Sequence, residues 1–188
     1  MWQLDWTKLA DILTYDPRQP MIFSSGLFLF LFLGFSLIYV LLQKQTTARL
    51  LFVSAFSYYF YYKSSGIYFF LLGIVTVSDF LLAGRMERTE TLWKRKLLVV
   101  ISLCINLGLL CYFKYTNFFY EMLCPLWNGH YEAFDIFLPV GISFFTFQSL
   151  SYTLDVYRRD LKPLDNLLDY VFYVSFFPQL VAGPIVRA

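Results

Sequence analysis

Apolar residues in this chain come in long uncharged blocks, separated by short polar stretches. Met21–Leu42 contains no charged residue. About 20 apolar helical residues cross a bilayer core, so this block predicts a first membrane span. After the polar stretch Gln43–Thr47, a second span centres on Leu50–Tyr62 and starts near Thr46 if Arg49 snorkels. Lys63–Gly66 reads as a tight turn, Ile67–Ala83 as a third span and Gly84–Lys96 as a charged loop. Leu97–Phe113 is a fourth span. Lys114–Asp135 is mixed, with Cys124-Pro125 as a breaker and Asn128-Gly129 as a turn signal. A fifth span runs from Ile136 to Val156, followed by a polar loop over Tyr157–Asn166. The last apolar block, Leu167–Ala182, is interrupted by Pro178 and followed by Gly183-Pro184, which predicts a broken or re-entrant helix. The expected fold is an all-α, polytopic transmembrane protein with about five to six membrane segments.

Ahead of the first span, Trp2, Trp6, Leu9 and Leu13 fall on one helical face, with Asp5 and Asp11 elsewhere. Residues 1–20 are therefore expected to form an interfacial segment, and residues 21–188 to form one membrane domain, or part of one. The first residues lack the basic stretch of a signal peptide.

Composition agrees with the pattern. The chain is 59% hydrophobic, 22% aromatic and only 15% charged, with a mean hydropathy of +0.57; soluble domains carry about 25% charge. The net charge is +2 and the basic residues are dispersed, which excludes a nucleic-acid stripe. Cys104, Cys111 and Cys124 form no CxxC pair, so they read as small buried hydrophobes and not as a metal or disulfide framework. Placing Gly84–Lys96 in the cytoplasm also places Lys44, Arg49, Arg158, Arg159 and Lys162 there, leaving Lys8, Arg18, Lys63 and Lys114 outside. This asymmetry predicts an extracytoplasmic N-terminus.

Polar residues inside the apolar blocks are the candidate chemistry. Asp79 reads either as a substrate-contacting carboxylate or as a near-interface carboxylate paired with a neighbour such as Arg85. Asn106, one turn after Ser102, reads as an interhelical hydrogen-bonding residue. Gln148, Tyr152, Asp155 and Arg159 recur at i, i+4, i+7 and i+11, within roughly 60° of helical arc, and Gly141 falls on the same line. That stripe faces either a polar cavity or a hydrogen-bonded seam with another helix. His130, the single histidine, stands in a turn-like stretch with no nucleophile or second ligand beside it. No catalytic dyad, GxSxG elbow, P-loop or GxGxxG fingerprint is present.

The segments LPVGISFFTFQSLSYTLDVYRRD (Leu138–Asp160) and YVSFFPQLVAGPIVRA (Tyr173–Ala188) resemble the membrane-bound O-acyltransferase family, in its alginate O-acetyltransferase-like branch. Leu107–Leu110 with Tyr112–Phe119, Ser54–Tyr62 and Asp79–Leu82 fit the same family, and the resemblance covers most of Arg49–Ala188. It implies a multi-pass enzyme of the bacterial inner membrane with a funnel through the bilayer. The acyl group, acetyl in this branch, would pass from acetyl-CoA or an acyl-carrier thioester on the cytoplasmic side to a hydroxyl of an extracytoplasmic polysaccharide. No cofactor would be held, since the donor is a substrate, and a periplasmic or extracytoplasmic acetyltransferase partner is implied. Gln148, Tyr152, Asp155, Gln179 and Arg187, with Pro178, Gly183 and Pro184 of the same motifs, are the funnel-lining candidates. The family's two histidine-bearing segments lie downstream of the Gly-Pro-Ile motif, and this chain ends before them. The expectation is an N-terminal part, inactive alone, with no catalytic residue assigned. The alternative is a non-catalytic membrane module or truncated remnant in a polymer export complex.

Overall fold

The computed structural model describes residues 13–17, 20–124 and 133–183. Most of the interfacial segment proposed for residues 1–20, together with His130, Pro184 and Arg187, lies outside the described residues. Helices account for nearly all regular structure, and no strand occurs among the described residues.

Helix α1 spans Gly26–Leu41, and its first turn is capped by Ser25, whose Oγ accepts from the Phe28 amide at 3.2 Å. Helix α2 spans Thr46–Ser65, beginning where the snorkelling of Arg49 required. A 3₁₀ turn at Gly66–Tyr68 leads into α3, Phe69–Glu87. Gly66 has φ 59°, and a Cβ there would come within 2.7 Å of the Tyr15 ring, so both the backbone and the space require glycine. The chain folds back at this point: the Tyr62 and Phe69 rings lie 5.9 Å apart, and Tyr58 reaches Gly73.

Helix α4, Leu92–Leu110, passes through a π turn at Cys111–Tyr115 into α5, Thr116–Leu123. Helix α5 is capped at Cys124, the first residue of the predicted Cys124-Pro125 breaker, and Pro125 lies outside the described residues. Helix α6 covers Ile142–Arg158. It starts later than the expected Ile136, because Pro139 disfavours helix in the residue before it and Gly141 is left-handed at φ 73°. The last block is broken as its proline predicts: α7 is Leu167–Ser175, Phe176 leaves the helical region at ψ 110°, and α8 is Phe177–Ala182 with Pro178 in its first turn.

Two expectations are corrected. Lys63 does not sit in an exposed turn; it lies within α2, 3% exposed, and donates its Nζ to the Thr14 carbonyl. Nor is Gly84–Lys96 a loop. Helix α3 runs on to Glu87 and α4 begins at Leu92, which places Arg95 inside the fold at 2% exposure. Both cations were read from charge alone. Each is drawn in by carbonyl oxygens that sequence spacing does not reveal.

Helix α6 packs against α3 and α4, while α7 packs against α2 and α3. Leu72, Val75, Phe145, Tyr152, Val156, Tyr170 and Val174 form the main buried cluster. A second cluster is almost wholly phenylalanine: Phe28, Phe60 and Phe177 with Met21, and Phe23, Phe35 and Phe56 around them. Outside these cores the surface remains apolar. Phe70, Ile74, Val77 and Leu81 form an exposed stripe along α3, and Leu29, Phe30, Leu33, Leu37 and Leu41 are exposed on α1. Apolar faces on this scale are unfavourable in water and favourable in lipid. Thr46–Glu87 and Leu92–Leu123 are long and apolar enough to cross a membrane, and α1 is shorter. The chain is a helical membrane protein.

Candidate functional site

Three helices bring polar side chains to one buried point. Asp79 of α3 is fully buried, and so are Ser102 and Asn106 of α4. Ser102 Oγ donates to Asp79 Oδ1 at 2.6 Å, and Asn106 Nδ2 donates to Asp79 Oδ2 at 2.8 Å. Thr153 of α6 joins through its Oγ1, 3.5 Å from Ser102 Oγ. Asp79 therefore bonds across helices to the two residues singled out on α4, and not to Arg85, which lines a separate cleft with Arg88 and Asp165. A carboxylate removed from water needs donors on both oxygens, and α4 supplies them from positions one turn apart. Thr146 and Ser149 of α6 and Tyr170 of α7 present buried hydroxyls with no partner of hydrogen-bonding geometry.

The stripe on α6 resolves into a seam. Gln148, 2% exposed, donates its Nε2 to the Tyr173 carbonyl of α7 at 2.6 Å. Tyr152 is fully buried, and its hydroxyl accepts from the Leu164 amide at 2.9 Å. Both side chains tie α6 to the segment that follows it. Asp155 is 5% exposed and borders a groove of about 480 Å³ between α4 and α6, with Leu107, Phe147, Leu154 and Arg158. Its carbonyl accepts the Asp160 and Leu161 amides as the helix ends. Arg159 departs from the stripe, exposed and left-handed at φ 65°. Gln179 is half-buried on α8 and its carbonyl accepts the Gly183 amide. Gly141 does meet this region, because α8 passes directly over it.

Arg95 was not picked out as a site residue from the sequence. Its Nη2 donates to the Val156 and Tyr157 carbonyls at 3.1 and 2.7 Å, and its guanidinium lies 5.9 Å from the Tyr157 ring centroid. These carbonyls close the C-terminal turn of α6, where a cation also meets the negative end of the helix dipole. Arg95→Met keeps the apolar stem and removes both bonds. It is expected to destabilise the protein by about 2 kcal/mol, a fall of about 4–8 °C in Tm for a chain of this size. Thermal unfolding in detergent checks this, and a Tm within about 1 °C of the parent would mean that the two Arg95 hydrogen bonds contribute no stability.

Among the described residues, no group of three or more His, Cys, Asp or Glu side chains is placed to hold a metal ion. Cys104 and Cys111 are exposed on the apolar surface, and only Cys124 is buried as the composition led us to expect.

Comparison with known proteins gives consistent relatives. The chain is 32% identical to a peptidoglycan O-acetyltransferase of Helicobacter pylori across 95% of its length. It is 34% identical to a probable alginate O-acetylase AlgI of Pseudomonas aeruginosa and 38% identical to one of Azotobacter vinelandii, each across 89% of its length. It spans 39%, 33% and 34% of those three relatives. No protein-family model and no solved structure matches the chain.

Proposed function

We propose that this chain, which belongs to the membrane-bound O-acyltransferase family, acts as part of an O-acetyltransferase that esterifies hydroxyls of an extracytoplasmic polysaccharide. One observation carries the reading: nearly the whole chain aligns with O-acetylases whose acceptors, peptidoglycan and alginate, are both glycans. The donor is an acetyl thioester, of coenzyme A or of a carrier protein, approached from the cytoplasmic face of the bacterial inner membrane. The N-terminus lies on the opposite side. Residues 21–188 are one portion of the acyltransferase domain, and a periplasmic acetyltransferase completes the pathway to the polymer.

The chemistry sets what such a portion must do. A sugar hydroxyl attacking a thioester needs a base to take its proton, and an enclosure dry enough to keep water from competing. No base is assigned among the described residues. The enclosure is where this chain contributes. Gln148 and Tyr152 lock α6 to α7, Asp155 borders the α4–α6 groove, and Gln179 and Arg187 belong to the following motif. In this reading these five residues form and stiffen one wall of the acyl-transfer funnel.

The test is the acetyl-ester content of surface glycans in a strain lacking the gene. Ester content is expected to fall to background for one polymer and to return on complementation. Unchanged esters, in cells that express the gene and carry no second copy, would leave the non-catalytic export module as the better account.

A further inference from the structure

We propose that the aromatic groove between α1 and the α7–α8 break binds an anionic glycerophospholipid, with an acyl chain in the groove and the phosphate at Arg49 and Lys44. This goes beyond the acyltransferase reading and does not depend on it.

The groove encloses about 430 Å³ and is lined by Phe32, Phe35, Tyr39, Val53, Phe176 and Pro178, with Ser36 as its main polar contributor. Ser36 donates its hydroxyl to the Phe32 carbonyl at 2.8 Å, so it asks nothing of an occupant. Phe32 and Tyr39 are about 40% exposed and Val40 59%, which leaves the groove open at its side. Its walls are flat rings and its length follows α1, a shape suited to an extended hydrocarbon chain.

Charge selects the headgroup. The Arg49 guanidinium lies 5.5 Å from the centroid of the Tyr39 ring, at the end of the groove. The Arg49 amide donates to the Gln45 carbonyl, but among the described residues its side chain makes no hydrogen bond or ion pair, which leaves guanidinium N–H groups for a phosphate. Lys44 lies in the adjoining α1–α2 connection, exposed and likewise without a partner. No aspartate or glutamate occurs between Asp16 and Asp79, so neither helix supplies a counter-charge. Two cations without a counter-charge, one against the Tyr39 ring that lines the slot and one in the turn after α1, match a phosphodiester joined to an acyl chain. Basic pockets between membrane helices recognise anionic headgroups in this way.

The probe is palmitoyl-oleoyl phosphatidylglycerol, added to the purified protein in non-ionic detergent and read by native mass spectrometry. Phosphatidylcholine with the same acyl chains and free glycerol phosphate are the comparisons. Phosphatidylglycerol is expected to be retained several-fold better than phosphatidylcholine, and glycerol phosphate not at all. Arg49→Gln should lower phosphatidylglycerol retention roughly fivefold, and addition of Lys44→Gln by a similar factor, with phosphatidylcholine, whose choline offsets the phosphate charge, lowered less. Ser36→Trp, which fills the groove, should lower retention of both lipids. Equal retention of the two lipids, or phosphatidylglycerol retention untouched by Arg49→Gln, overturns the proposal. Binding of glycerol phosphate as strong as that of the lipid also overturns it, since the groove would then contribute nothing. The Arg49→Gln result stands whether or not the tryptophan variant folds.

Discussion

Asp79→Ala is expected to destabilise the protein by about 2–3 kcal/mol. The substitution removes the acceptor of two fully buried donors, Ser102 Oγ and Asn106 Nδ2. Leaving buried donors unmade costs about 1–3 kcal/mol each in soluble proteins, whereas interhelical bonds in membranes average nearer 0.6 kcal/mol, because the separated helices find other partners. The estimate lies between these limits because the lost carboxylate also leaves unfilled space. Asp79→Asn should cost less. Asn106 retains an unpartnered Oδ1 and can turn its amide to accept from the new one. Denaturant or thermal unfolding in detergent reads the difference, and a double-mutant cycle of Asp79→Ala with Asn106→Ala isolates the pair. Strict additivity would mean that the contact, though present, contributes no stability.

Gly141→Ala is the second large effect, expected at about 3 kcal/mol or more. Gly141 has φ 73°, and an added Cβ would collide with the Leu180 carbonyl oxygen. The left-handed backbone alone costs an alanine about 1–2 kcal/mol. The collision adds to it, because the obstacle is the backbone of α8 and not a side chain that can turn aside. Relief requires α6 and α8 to separate, so the damage should spread to the Phe177 cluster. Gly108→Ala is the internal control. It lies within α4 with open space at its Cβ position, and should be neutral or slightly stabilising. Tm measurements on both variants decide the matter, and equal Tm values would show that the close approach of α8 is not needed.

The two sites differ in how far the sequence disclosed them. Asp79, Ser102, Asn106, Gln148 and Tyr152 each stood out, because a polar group within an uncharged block is conspicuous. That Asp79 meets Ser102 and Asn106 was not legible. Helical periodicity fixes the face a residue occupies on its own helix, but not the rotation of one helix against the next. The same limit kept cavity and seam open for the α6 stripe until Tyr173 and Leu164 appeared as partners. Arg95 was hidden for another reason. It belongs to a run of cations, and such runs ordinarily mark a solvated loop. Only the carbonyls at the end of α6 distinguish it from Lys94 and Lys96. The break at Pro178 was legible because proline acts on its own backbone and needs no distant partner.

The way α1 is fastened bears on how the molecule deforms. At its leading end Met21 exchanges backbone and side-chain hydrogen bonds with Lys63 and Ser64. Along its length α1 meets its neighbours chiefly through ring contacts: Phe28 with Phe60, Phe35 with Phe52 and Phe56, and several with Phe177. Ring contacts change little in energy over small displacements, whereas the short hydrogen bonds joining α3, α4 and α6 do not stretch. The fold thus has a stiff block and a compliant flank. Helix α1 is held by hydrogen bonds ahead of its first turn and by rings along its length, so small shifts of those rings set the width of the slot beside Tyr39.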